Sequence, residues 1–461
     1  MTTLKFDYTH AFARGSVAKK DLKAFMPRLG EVQRELQAER KARRLGFADL
    51  PSDLAAAREV EAAAKRHLPG IEHVIVLGIG GSALGFIALK EALLHPLYNQ
   101  VAKRAKRPEF YVLDNIDPEY IHAVLEVVDP RKTLVNVITK SGSTAEIIGQ
   151  FLIFFDLFAR KMGGRREAVK HFVFTTDPEG GALRPLVEQE GFAALNLPPN
   201  VGGRFSVLSP VGLFPAALAG ISVRKLLGGA EDALQKGLYG PPQDSPALIG
   251  AALHYLHYRQ GRTVAVMMPY ASSLYRVGDW FRQLWAESLG KAVDRQGKTV
   301  HVGPTPVAAL GATDQHSQVQ LYVEGPDDKL YTFLRVSTMQ RDLKYPKSPW
   351  RDPAFTYFAG HTMADLLEAE AEATRIALSE VGRPSATIYL PRVNAESIGR
   401  LLMHLEIQTA AAGCLFNVNA FDQPGVEAGK RYAYALLGRE GFEAEGRKVR
   451  KQKGKQFILT G

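Results

Sequence analysis

The sequence predicts an α/β protein with two mainly parallel sheets flanked by helices, and three observations carry that reading. From Val74 to Leu197, and again from Val264 to Leu390, short apolar runs alternate with helix-sized segments. Alternation of this kind is the pattern of βαβ units, in which parallel strands are joined by crossover helices. A stretch of Gly, Pro and Asp, Gly237 to Pro246 (GLYGPPQDSP), parts the two series as a linker or interdomain loop. At 461 residues the chain is also long enough for two or three domains, with about 150 residues per domain as a soft guide.

Taken in order, residues 20–45 and 53–68 carry Ala, Leu, Glu, Lys and Arg at helical spacing and predict two opening helices. The first series of strands is then Val74 to Leu77, Phe110 to Leu113, Leu134 to Ile138, Phe172 to Phe174 and Ala194 to Leu197. The second is Val264 to Met268, Thr299 to Val302, Tyr331 to Val336 and Ala386 to Leu390, with long amphipathic helices at Met363 to Val381 and Ala395 to Ala412. The domain boundaries expected are a helical segment over 1–68, α/β domains over 69–236 and 247–431, and a basic tail over 432–461.

Composition narrows the function class. Hydrophobic content of 46% and charged content of 23% are those of an ordinary soluble globular protein. A single cysteine, Cys414, allows neither an internal disulfide nor a thiolate metal cluster, which fits a reducing cytoplasm. The N-terminal MTTLKFDYTHAFARGS lacks a long apolar core, and FLIFFDLF around Asp156 is too short and too charged to span a bilayer. No membrane partner is therefore expected. Net charge is +10, and six basic residues fall between Arg447 and Lys455 (RKVRKQKGK) with no acid among them. That run has no interleaved aromatic residues to stack on bases, so a solvated tail is expected rather than a nucleic-acid site. The positive surplus elsewhere suits an anionic small substrate.

Four segments carry chemistry. Thr139-Lys140-Ser141-Gly142-Ser143-Thr144 follows the strand-like Leu134 to Ile138 and precedes a helix-like segment beginning near Glu146. It reads as a phosphate cradle, since N–H groups at a helix start are partly positive and short hydroxyl side chains add donors; an ordinary N-capped loop fits the same residues. GIGGSALG, Gly78 to Gly85, permits a tight turn and close ligand approach, and Gly78, Gly80 and Ala83 satisfy G-x-G-x-x-A. Asp114, however, lies too far on to be the acidic ribose ligand of a dinucleotide site, and Ser82 reads better as a donor at a sugar site or as part of a simple turn. NVGGRFS, Asn200 to Ser206, places paired glycines ahead of Arg204, either against a ligand or in a surface ion pair. On the helix-like Ser272 to Leu289, Asp279, Gln283 and Glu287 form one stripe at i, i+4 and i+8, facing either a cavity or solvent.

GIGGSALG, TKSGSTAE, NVGGRFSVLSPVG, QLWAESLGK, ATDQHSQVQ and FDQPGVEAGK occur in the order and approximate spacing seen in the glucose-6-phosphate isomerase (phosphoglucose isomerase) family. The resemblance spans about residues 70 to 431, and the length resembles the shorter bacterial members. It implies two sugar-isomerase (SIS) type α/β domains, a reversible conversion of glucose 6-phosphate to fructose 6-phosphate, and no metal or redox cofactor. Carried onto matching positions, the general base is Glu287, the enediolate-stabilising cation Arg204, and the ring-opening residues His316 and Lys430. Phosphate donors fall on Thr139, Lys140 (backbone), Ser141 and Thr144. Gly81, Ser82, Gly203, Gln283 and Gln423 line the sugar, with Glu146 near His316. The family also implies a homodimer in which His316 is contributed in trans. Two departures stand out: Ser288-Leu289-Gly290 where many relatives have Ser-Asn-Gly, and Ser143 where threonine is common. A non-catalytic sugar-phosphate regulator would keep the phosphate loop but would not need Glu287, Arg204, His316 and Lys430 together. A dehydrogenase is the other rival.

Overall fold

The computed structural model describes residues 3–13, 15–452 and 459. The chain divides into two compact units, Met1–Ala420 and Phe421–Gly461. The larger one contains a three-residue strand, β1 (Lys5–Asp7), within the segment expected to be helical. The two expected opening helices follow as Lys19–Lys41 and Leu54–His67. Asp53 starts the second by accepting the Ala56 N–H at 3.0 Å.

Five strands build the first sheet: β2 (His73–Leu77), β3 (Glu109–Leu113), β4 (Thr133–Ile138), β5 (Phe172–Thr176) and β6 (Ala193–Asn196). All run parallel in the order β3-β2-β4-β5-β6, and each lies within two residues of its expected place. Strands β2, β4 and β5 are buried along their whole length, as continuous apolar runs must be when both faces of a parallel sheet are covered. The apolar FLIFFDLF stretch is one of those covers. It lies on the helix Ala145–Met162, where Phe151, Phe154 and Phe158 are buried at helical spacing. Phe151 meets Phe174 edge-on at 5.2 Å, and Leu152 and Ile153 stay outside.

The second series supplies β7 (Val264–Pro269), β8 (Lys291–Val293), β9 (Thr299–Val302), β10 (Thr305–Ala308), β11 (Lys329–Val336) and β12 (Ser385–Leu390). Its sheet runs β1-β12-β11-β7-β10, parallel except for β1, which pairs antiparallel with β12. One expectation is corrected here. Thr299 to Val302 forms a strand, but it pairs only with β8 in a separate antiparallel ribbon. The place beside β7 is taken by β10, whose TPVA sequence hides it: proline lacks the ladder donor and is tolerated because β10 is an edge strand.

Both sheets reverse direction in the same way, the chain stepping to one side (β2 to β3, β7 to β10) and then crossing back (to β4, to β11). In open α/β sheets ligands bind at such a reversal, outside the carboxyl ends of the strands. In the first sheet that crevice is bounded by the loops after β2 and β4, which are the glycine and hydroxyl motifs. The linker is ordered: Ser245 caps the helix Pro246–Arg259 through the Leu248 N–H at 3.3 Å. That helix and Val223–Leu234 pack against Ala395–Leu415, which is buried from Ser397 onward.

The C-terminal unit holds the helices Glu427–Leu436 and Glu443–Gln452. The Arg439 guanidinium lies 4.5 Å from the Tyr434 ring centroid. Part of the expected basic tail is therefore helical, while residues 453–455 of the basic run lie outside the described residues.

Candidate active site

Thr144 occupies the N-cap of the helix Ala145–Met162, yet its side chain caps no N–H of the first turn. Its hydroxyl instead lies 3.0 Å from that of Thr139 and 3.4 Å from that of Ser141. Three hydroxyls thus converge at a helix start whose first-turn N–H groups need an acceptor. An anion or water can supply one. The loop is braced from behind. Gly181 (φ +83°) abuts the Ser141 carbonyl so closely that a Cβ would stand 2.4 Å from its oxygen. The Lys140 ammonium turns to the other side, donating to the carbonyls of Pro199 at 2.6 Å and Val201 at 2.9 Å. Burial draws the Lys140 pKa below its ordinary value, partly offset by the Asp177 carboxylate.

The loop after β2 makes a 3-10 turn over Gly80–Ser82. A Cβ on Gly81 would stand 2.2 Å from the Gly203 carbonyl carbon, so the two glycine loops pack backbone to backbone. Gly80 is covered in turn by the Gln283 amide, whose Nε2 lies 2.8 Å from where a Cβ would be. Space that the glycines of a dinucleotide fingerprint leave to a pyrophosphate is filled here by the protein.

Arg204 sits in the next 3-10 turn, Gly203–Phe205, and is buried. Its Nε donates to Ser288 Oγ at 2.8 Å and its Nη2 to the Ala420 carbonyl at 2.5 Å. Nη1 then points to Glu287 Oε2 at 3.3 Å. The other carboxylate oxygen accepts from Gln283 Nε2 at 3.0 Å. Glu287 and Gln283 come from one face of the helix Tyr275–Leu289, and that face meets Arg204. At its far end Asp279 is buried between Arg276 and Arg282. Lys291 anchors the helix end by donating to the Glu287 carbonyl at 2.7 Å. Glu287 keeps 32% of its side chain accessible against 2% for Arg204, a part-exposed carboxylate backed by a buried cation.

His316 ends the 3-10 turn Thr313–His316, beyond β10. It lines a cleft of about 1020 Å³ with Leu343, Tyr345 and Met363, and its imidazole hydrogen-bonds to no other described residue. Glu146 stands in the first turn of the helix Ala145–Met162, and none of its described contacts reaches His316. Gln423 and Lys430 belong to the C-terminal unit, where Lys430 Nζ donates to Glu427 Oε1 at 2.8 Å on an exposed helix face. Ser288 and the Ala420 carbonyl, which hold Arg204, carry no signal of that role in the sequence. Ser288 adjoins Glu287 in the motif; Ala420 is reached only through the fold.

Two doubly wound sheets with this crevice place the chain in the class of sugar-isomerase α/β proteins. The family model described as phosphoglucose isomerase matches residues 60–447. A glucose-6-phosphate isomerase of Carboxydothermus hydrogenoformans is 43% identical over an alignment of 466 positions, which covers 99% of each chain. The crystal structure of a hypothetical protein from Thermus thermophilus superposes with a TM-score of 0.85 at 42% identity, over 95% of this chain and 100% of that one. A glucose-6-phosphate isomerase from Chlamydia trachomatis shares the fold, with a TM-score of 0.80 at 23% identity over 97% and 91% of the two chains. The chain belongs to the phosphoglucose isomerase family.

Proposed function

We propose that the protein interconverts glucose 6-phosphate and fructose 6-phosphate through a cis-enediolate, with Glu287 moving the proton. The observation that carries this reading is the Glu287 carboxylate itself, part exposed and held 3.3 Å from a buried guanidinium that also donates to Ser288 and the Ala420 carbonyl. From glucose 6-phosphate the carboxylate takes the C2 proton and returns it to C1, while the hydroxyl proton moves from O2 to O1. Negative charge grows on those oxygens in between. Arginine stabilises it and, with its very high pKa, does not surrender a proton to it. The phosphate is remote from C1 and C2, so its binding at Thr139, Lys140 N–H, Ser141 and Thr144 serves to hold those carbons against the base. Gly81, Ser82, Gly203, Gln283 and Gln423 are assigned to the sugar. His316 and Lys430 are assigned to ring opening, transferring the proton at the ring oxygen and polarising the hydroxyl.

We assign the two domains to 69–236 and 247–431, and each site to a homodimer in which His316 comes from the neighbouring subunit, with Glu146 near it. The support is that the His316 imidazole makes no hydrogen bond among the described residues and borders a cleft walled by exposed apolar residues such as Leu343. A cytoplasmic location is supported by the single, buried Cys414. Among the described residues no helix is long and apolar enough to cross a membrane.

The test is incubation with fructose 6-phosphate in D₂O with EDTA and no nucleotide, followed by NMR. Glucose 6-phosphate carrying partial deuterium at C2 is expected. Failure of folded protein to form any glucose 6-phosphate would remove the isomerase reading; product without deuterium would keep the activity and overturn proton transfer by Glu287.

A further inference from the structure

We propose that the Lys140 side chain is a positioning strut, coupling phosphate engagement at the hydroxyl loop to the placement of the Arg204 guanidinium. The inference rests on the reading of Arg204 as the stabilising cation. The family resemblance gives Lys140 only a backbone contact, which leaves its ammonium without a role. That ammonium is half-buried, turned away from the converging hydroxyls, and committed to the carbonyls of Pro199 and Val201. Neither carbonyl belongs to a helix or strand, and Gly202 alone separates Val201 from the turn Gly203–Phe205 that carries Arg204.

The far side of the same segment is anchored. Asn200 donates through Nδ2 to the Arg43 carbonyl at 3.0 Å, and Gly46 packs so closely on Asn200 that a Cβ would stand 2.5 Å from its carbonyl oxygen. Residues 199–201 are thus clamped between a fixed wall and a side chain rooted in the phosphate loop. Movement of that loop toward an anion pulls on two carbonyls next to Arg204. The Asp177 carboxylate, itself held by the N–H groups of Glu179 and Gly180, partly offsets the burial that disfavours the ammonium. A rigid link of this kind converts binding energy at one end of a substrate into orientation at the other, where a misplacement of about 1 Å costs on the order of 100-fold in rate.

The test compares Lys140→Met and Lys140→Arg with wild type, measuring kcat, KM and the inhibition constant of inorganic phosphate. Lys140→Met is expected to lower kcat by roughly 10- to 100-fold while phosphate inhibition changes less than about threefold, and Lys140→Arg, which keeps two donors, recovers most of the loss. Retention of kcat within about threefold by Lys140→Met overturns the strut. A parallel loss of phosphate inhibition also overturns it, reassigning the ammonium as an anion ligand. Should Lys140→Met not fold, Lys140→Gln, whose amide is uncharged and one bond shorter, carries the same comparison. Arg204→Ala separates the two readings: wild-type turnover in that variant removes Arg204 as the cation, whatever happens at Lys140.

Discussion

Glu287 accepts from Arg204 through one carboxylate oxygen and from Gln283 through the other, so glutamine keeps its size but removes the base, the charge and one of the two acceptors. Glu287→Gln is expected to lower kcat by about 10²- to 10⁴-fold with KM nearly unchanged. More than about a tenth of wild-type kcat in steady-state assays would contradict the assignment. A steric prediction concerns Gly81, where an added methyl meets backbone atoms of Gly203 and Arg204 that cannot rotate away. Gly81→Ala should push the Arg204 turn outward and reduce kcat by at least about tenfold; turnover within a factor of two of wild type would show that the loops separate freely. At this scale the sequence was legible where residues share one local pattern, as Gln283 and Glu287 share a helix face and a hydrogen bond. It was silent on what holds Arg204, because the Ala420 carbonyl is 216 residues away in the chain.

Elements show the same division. The five strands of the first sheet were legible because burial on both faces demands unbroken apolar runs. Strand β10 was not, since an edge strand has room for Pro306 and half-exposed side chains, and β9 was misplaced because a two-stranded ribbon uses the same residues. The hydroxyl loop can be tested as an element: Thr144→Val with Ser141→Ala leaves the backbone cradle but removes two converging donors. Inorganic phosphate should become a weaker competitive inhibitor; an unchanged inhibition constant would place the anion elsewhere. The helices Ala395–Leu415 and Pro246–Arg259 predict a pH profile. Burial draws His254 down to about 3 and both His257 and His404 to about 4, from 6.5. The unfolded chain binds their protons first, so stability falls as pH drops below 6.5, by up to about 1.4 kcal/mol per pH unit for each histidine. Burial raises Glu406 well above 4.5, the opposite sign, so its contribution declines as pH rises past that value. Three histidines outweigh one glutamate on the acid side, placing the maximum near pH 6.5 for these groups together. Glu406→Gln should flatten the alkaline limb of Tm against pH and steepen the acid limb between 4.5 and 6.5, where the carboxyl opposes the histidines; a variant with the wild-type alkaline slope would refute the buried carboxyl's part.

At the scale of the whole molecule, the proposed homodimer and the proposed place of His316 come only from the resemblance, since no pattern within one chain marks a residue that acts on another. A subunit-mixing experiment addresses both. Glu287→Gln and His316→Ala are each expected to be nearly inactive, and allowing their subunits to exchange should restore some activity, because one site of each heterodimer holds both groups. Heterodimers confirmed by mass spectrometry yet without activity would rule out sharing.

The pairing of β1 with β12 places Lys5 opposite Tyr389, closing one edge of the second sheet across most of the chain. On a translating ribosome the first sheet can finish once Asn196 has emerged, whereas β1 must wait, unpaired, until β12 is made. Contacts so distant in sequence are the slow ones in folding, because their loop-closure entropy is lost before they form. The second half therefore stays open longest, and β12 exposes a bare edge for as long as β1 is absent from it.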